Sequence, residues 1–210
     1  MSRLPDPVSA NGRIEHLQDF TSLDWCRELL SDPSMIHIRK RQSADLDVSN
    51  TFFNTTLFTD EALRAYLSMY KVGKIDQQNN EPSTLSKEEY VWSPIDPDIP
   101  ETLLLVSLGR DVDGAVRRLH GGITAALLDQ VMGYSVHYLN NIGSATADLN
   151  IKYKAAVTTP CVLLCRSKVV RQKGRWIETV GWIEDGHGKI FAEGKGSFVL
   201  KKALATAAKI

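Results

Sequence analysis

The chain has 210 residues, of which 43% are hydrophobic, enough for one core-bearing domain with or without an appendage. Lys plus Arg equals Asp plus Glu at 25 each, so net charge recruits neither nucleic acid nor an anionic membrane. No apolar run reaches the roughly 18 residues of a bilayer span, and the three cysteines are odd in number and unframed, as in free-thiol proteins of a reducing compartment.

Residues 1–20 mix Pro, Asn, Gly and charge without periodicity, lack the apolar stretch of a signal peptide, and read as a loosely ordered start to a cytoplasmic protein. Thr21-Ser22 offers N-cap oxygens to a short helix with Leu23, Cys26, Leu29 and Leu30 on one face, ended by Asp32-Pro33. Met35 to Arg39 alternates weakly, as an edge strand does. Thr59, followed by Asp60 and Glu61, predicts a second helix with Ala62, Leu63, Tyr66, Leu67 and Tyr70 on its apolar side. Residues 71–100 are long, polar and Pro-interrupted, and read as disorder in preference to a substrate-covering flap. Thr102 to Leu108 then reads as a buried strand.

The stretch Leu119-His120-Gly121-Gly122 opens a dense apolar run (Ile123, Ala126, Leu127, Val131, Tyr134) that predicts a long helix ending at Asn140-Asn141 and Gly143. Such a helix is apolar nearly all round, which implies burial on most sides. Asp129 in its middle costs several kcal/mol unless it is hydrogen-bonded, exposed in a cleft or neutralised; a satisfied core carboxylate is the bland alternative.

Four strand-like runs follow, at 145–157, 161–171, 176–184 and 190–200, joined by tight turns such as Lys173-Gly174 and Asp185-Gly186-His187-Gly188. The first alternates with period two, Ala147, Leu149, Ile151 and Tyr153 on one face and Thr146, Asp148, Asn150 and Lys152 on the other. A helix followed by an antiparallel meander is α+β. The expected division is an N-terminal extension over 1–100 with two short helices and a polar loop, a main domain over 101–202, and a tail over 203–210.

His120-Gly121-Gly122, then Asp129 and Gly133, then the strand Thr146 to Tyr153, resembles the hotdog-fold acyl thioesterases of the PaaI-like branch. The resemblance covers about residues 101 to 200, and a weaker one at Thr55 to Ala62 is similar to an upstream helix of fungal relatives. It implies one long central helix wrapped by a curved antiparallel sheet, with the N-terminal helical extension outside it. It also implies homodimers, often paired into tetramers. The implied activity is hydrolysis of an acyl-CoA or carrier-bound acyl thioester. A hotdog protein redirected to release or cyclisation of a polyketide intermediate, and a non-catalytic acyl-CoA binding module, stand as alternatives.

Thioester hydrolysis needs a donor for the developing oxyanion and a group that activates the attacking oxygen. The Gly121 N–H, at the positive end of the helix, suits the first, and Asp129 the second, as general base or as nucleophile. Eight residues separate them, about 12 Å at ~1.5 Å per residue, so if both act on one carbonyl they come from different subunits. The polar face of Thr146, Asp148 and Asn150 suits a wet subunit contact. By the resemblance, Thr146 orients the water, and His120 belongs to the turn, structural in preference to catalytic. Gly114-Ala115 departs from the relatives, which often place a polar side chain there. Arg117 and Arg118 beside the turn, with Lys168 and Arg171 on a later strand, are candidates for CoA phosphates or an acidic carrier, although solvated strand-end charge is the commoner meaning. No cofactor is expected, and the five His lack metal-ligand spacing.

Overall fold

The computed structural model describes residues 4–8, 12–40, 50–73 and 89–202. The Asp76–Pro82 portion of the expected polar loop and the tail expected over 203–210 lie outside the described residues.

Two short helices, α1 (Gln18–Thr21) and α2 (Asp24–Ser31), lead into β1 (Met35–Lys40). A π-helical turn, Phe52–Thr56, precedes β2 (Leu63–Lys71). Then come β3 (Glu89–Val91), β4 (Glu101–Leu108), the small hairpin β5 (Asp113–Ala115) and β6 (Arg118–Leu119), and the central helix α3 (Gly121–Asn140). Four strands complete the chain: β7 (Ser144–Tyr153), β8 (Cys161–Lys173), β9 (Trp176–Glu184) and β10 (Ile190–Leu200). The main sheet is antiparallel in the order β1-β2-β4-β8-β9-β10-β7, with β3 paired to the far end of β8. This is the α+β hotdog architecture expected, one long helix against a wide antiparallel sheet.

The helix expected after Thr59 is a strand. Ala62, Leu63, Tyr66, Leu67 and Tyr70 fit a helical face, but every residue of β2 except Arg64 and Lys71 is buried, because this part of the sheet is covered on both faces. A doubly buried strand loses its alternation and mimics a helix in sequence. The Thr59 hydroxyl accepts the Ala62 N–H in a turn instead of a cap. β2 then pairs with β4, so the sheet runs across the boundary expected near residue 100.

The two covers make two cores. On the inner face, α3 lays Leu127, Leu128, Val131, Met132 and Val136 on Leu63, Tyr66, Leu104, Val106, Leu163 and Ile183. On the outer face, Leu17, Phe20, Cys26 and Leu30 of the N-terminal segment pack on Ala65, Leu67, Met69, Leu103, Leu105 and Leu164. Fully burying a side chain of this size contributes about 1.5–3 kcal/mol, so the N-terminal layer is part of the fold. The Thr21 and Ser22 hydroxyls, expected to cap α2, donate back to the Gln18 and Asp19 carbonyls.

Candidate active site

The site begins at the start of α3. His120 is its N-cap, in extended conformation, and its Nδ1 accepts the Gly122 N–H at 2.9 Å. The Ile123 and Thr124 amides are taken by the His120 carbonyl at 3.0 and 3.2 Å. A helix start leaves its first amides without intrahelical acceptors, and here all but one are satisfied. Among the described residues the Gly121 N–H has no acceptor. A Cβ on Gly122 would lie 3.0 Å from His120 Nδ1 and one on Gly114 would lie 2.9 Å from His120 Cδ2, so both glycines make room for the capping imidazole. A Cβ on Gly121 would meet only ordinary contact, 3.6 Å from the Tyr153 ring. Glycine at 121 is therefore not required by the chain's own packing.

The Tyr153 hydroxyl donates to the Gly121 carbonyl at 3.0 Å. Beside this contact a cleft of about 340 Å3 opens, with Gly121, Leu119, Tyr153, Lys154, Val157 and Phe191 on its walls. Lys154 at its edge pairs with Glu193 at 2.9 Å.

Asp129 lies two turns further along α3, half-buried on the helix flank that faces β7. Its Oδ1 accepts a hydrogen bond of 2.7 Å from the Thr146 hydroxyl. This places Thr146 on the inner face, which period-two reading does not. The β10–β7 ladder slips between Ser197 and Phe198, pairing Ser197 with Asp148 and Phe198 with Thr146, so Ala147 is an extra residue. The bulge turns Thr146 to the side of Leu149, Ile151 and Tyr153, and leaves Asp148, Asn150 and Lys152 outside. Thr146 therefore does not share the polar face expected for it. β7 thus carries Thr146 at Asp129 and Tyr153 at Gly121, and it is a sheet edge whose outer backbone row has no neighbouring strand among the described residues.

The expected cationic rim divides. Arg117 and Arg118 are exposed in the β5–β6 turn beside His120; Arg117, at φ 55°, has its N–H held by Asp113 Oδ2 at 2.9 Å. Lys168 and Arg171 do not join them. The Lys168 ammonium donates to the Asp96 carbonyl at 3.0 Å, and Arg171 pairs with Glu89 at 2.7 Å and Glu178 at 2.8 Å. Arg171 is ten residues up β8 from Cys161, about 33 Å at ~3.3 Å per residue, while Val157 and Thr158 just before that strand bond Leu119 and Arg118. Tyr153 and Lys154 are the cleft residues that sequence reasoning missed. In the sequence Tyr153 is only an apolar strand position, and Lys154 follows the last residue of a strand, where a charge carries no distinguishing signal. Among the described residues no cluster of His, Cys, Asp and Glu is arranged to hold a metal ion, and no helix is long and apolar enough to cross a membrane.

Residues 118–192, from the turn before α3 to β10, match the family model described as Thioesterase superfamily. The likeness to the thioesterase superfamily rests on this segment, about a third of the chain. Solved structures similar to it include a Bacillus halodurans protein with CoA, 30% identical over 47% of this chain and 66% of that one, with a TM-score of 0.44. Thioesterase superfamily member 2 of zebrafish is 22% identical over 60% of this chain and 91% of its own, with a TM-score of 0.46. A hypothetical thioesterase of Streptococcus pneumoniae TIGR4, solved with coenzyme A, is 16% identical over 55% and 90%, also with a TM-score of 0.46. No curated protein matches the chain. Within the matched segment lie both ends of the site, the Gly121 turn and the Asp129–Thr146 pair.

Proposed function

We propose that this protein hydrolyses an acyl thioester, with coenzyme A or a carrier protein as the thiol. The observation that carries the reading is the Gly121 amide, without an acceptor among the described residues, next to a cleft and on the same helix as a carboxylate held by a hydroxyl. In this reading the Gly121 N–H stabilises the oxyanion. Asp129 activates water or attacks directly, and Thr146 fixes the orientation of its carboxylate. Lys154 on the cleft wall, Lys189 over the Phe191 ring, and Arg117 and Arg118 in the turn before Leu119 offer cations to an anionic thiol carrier.

Gly121 and Asp129 are about 12 Å apart along α3, so each site takes one from each of two subunits. The outer edge of β7 supports this, because a ten-residue strand with no neighbour on one side among the described residues is a template for another strand. Antiparallel pairing of two β7 edges about Asn150 sets Leu149 opposite the partner's Ile151. Beyond the bulge it sets Thr146 opposite the partner's Tyr153, and so brings Asp129 of one copy toward Gly121 of the other. The assembly is then a dimer, or a tetramer built from dimers.

The test is a panel of acyl-CoAs with detection of the freed thiol, followed by subunit mixing. Asp129→Asn and Gly121→Pro are each expected to be inactive; proline is tolerated at the first helical position and removes only the donor. Exchange between them yields half mixed dimers with one intact site of two, so about a quarter of wild-type activity returns. No recovery despite demonstrated exchange, or a fully active monomer, overturns the shared site. Near-normal turnover by Asp129→Asn overturns the mechanism.

A further inference from the structure

One register row crosses the inner face of the sheet from β4 to β7 beneath α3. Thr102 on β4 pairs with Ser167 on β8, Ser167 with Gly181 on β9, Gly181 with Gly194 on β10, and Gly194 with Ile151 on β7. Between Ile151 and Thr102 the row holds nothing larger than serine. Met132 fills it from above: a Cβ on Gly181 or on Gly194 would lie 2.9 Å from the Met132 Cε. Leu128, the neighbour of Asp129, overlies the β7 end, 3.4 Å from the Cβ position of Gly194.

At the other end are two buried hydroxyls. Thr102 is 1% exposed and Ser167 is fully buried, and neither Oγ has a hydrogen-bond partner among the described residues. Adjacent strands bring their Cβ atoms to about 5 Å, so the two hydroxyl-bearing side chains are direct cross-strand neighbours. A buried hydroxyl left unpaired is costly, and two side by side in an otherwise apolar floor need an explanation. Thr102 also lines a slot of about 20 Å3 with Tyr70, Trp92, Ser135, Leu139 and Val169, about the room of one water molecule.

We propose that this row is the acyl path of the thioester site, and that Thr102 and Ser167 recognise an acyl chain bearing a hydroxyl or oxo oxygen at its far end. The inference rests on the thioesterase reading above. The chain enters beside Asp129 at Ile151 and runs under α3 across four strand intervals, about 19 Å at ~4.8 Å each. It displaces the Met132 side chain, whose three rotatable bonds allow it to turn aside. The terminal oxygen then pairs with the two hydroxyls, and Trp92 moves outward as the slot fills. Trp92 can do so because it sits just past β3, a strand of three exposed residues, joined there by its N–H to the Val170 carbonyl at 2.8 Å.

The experiment compares the CoA thioesters of one long-chain acid with and without a terminal hydroxyl, in wild type, Thr102→Val and the Thr102→Val/Ser167→Ala double variant. Calorimetric binding of the two free acids is measured alongside. Wild type is expected to favour the hydroxylated chain by at least about tenfold in kcat/KM and in binding, the single variant to lose most of that preference, and the double variant to lose all of it. Equal handling of both chains by wild type, or a preference that survives in the double variant, overturns the inference. If wild type hydrolyses neither thioester, the thioesterase reading fails for these chains. The calorimetry then decides alone: binding of the hydroxy acid that the double variant loses supports the row, and no binding overturns it.

Discussion

The Thr146 hydroxyl donates a hydrogen bond of 2.7 Å to Asp129 Oδ1, from a strand edge to the flank of the central helix. It holds one carboxylate oxygen and leaves the other uncommitted among the described residues, which suits a group that must face a reacting centre in one orientation. Thr146→Val keeps the shape and removes the donor. Its kcat is expected to fall about tenfold with KM little changed, against at least about 10²-fold for Asp129→Asn. Steady-state kinetics on the best acyl-CoA of the panel checks this; a Thr146→Val enzyme with wild-type kcat refutes the positioning role, and Thr146→Ser should restore most of the loss.

His120 is predicted to matter through its cap. His120→Ala leaves the Gly122 amide unsatisfied and is expected to lower stability by about 1 kcal/mol in urea unfolding, whereas His120→Asn retains a side-chain acceptor and should lose less. Turnover should follow the cap: the Asn variant keeps more activity than the Ala variant. Equal stability of both variants and wild type removes the capping account.

Asp19 makes the acid limb of stability specific. Burial pushes its pKa up, but the hydrogen bonds from Arg64 at 2.9 Å and from Ser107 at 2.6 Å, with the Arg64 charge, outweigh this and hold the carboxyl below its ordinary 3.8. A depressed folded-state pKa stabilises the fold at every pH above the ordinary value, and that contribution is lost as pH falls through the lowered one. Thermal melts from neutral pH down through 3.8 should show a steeper acid decline in wild type than in Asp19→Asn. Parallel curves exclude Asp19 as a source of acid lability.

The cysteines should be silent. Burial pushes the thiols of Cys26 and Cys161 up to about 12 and that of Cys165 higher still, and all three are free. Thiolate is the reactive form, so native protein should label slowly with a thiol reagent at neutral pH, unfolded protein should yield three thiols, and reductant should leave the Tm unchanged. Rapid labelling of the native protein contradicts the burial.

What the sequence made legible is what local chemistry writes. Helix α3, the turn before it and the strands after it carry their own periodicity, caps and turn residues, and their positions follow directly. β2 was misread because its burial on both faces depends on α1 and α2, more than thirty residues away, and no local pattern encodes that. Thr146 was assigned the wrong face because one extra residue, Ala147, shifts the alternation, and only its pairing with β10 reveals the bulge. The Thr102–Ser167 pair is invisible in sequence for the same reason: two ordinary strand residues become a feature only when the β4–β8 register sets them side by side.

The two cores share their strands residue by residue. Leu104 and Val106 of β4 point to α3 while Leu103 and Leu105 point to the N-terminal layer, and β2 divides its side chains in the same way. Neither layer can therefore melt and leave the other intact, since loosening β4 for one strips the support of the other. Heating should produce one cooperative transition by every spectroscopic probe. Protease cutting between α2 and β1 should loosen the distant helix start at Gly121, although no residue of α1 or α2 lines the cleft beside it.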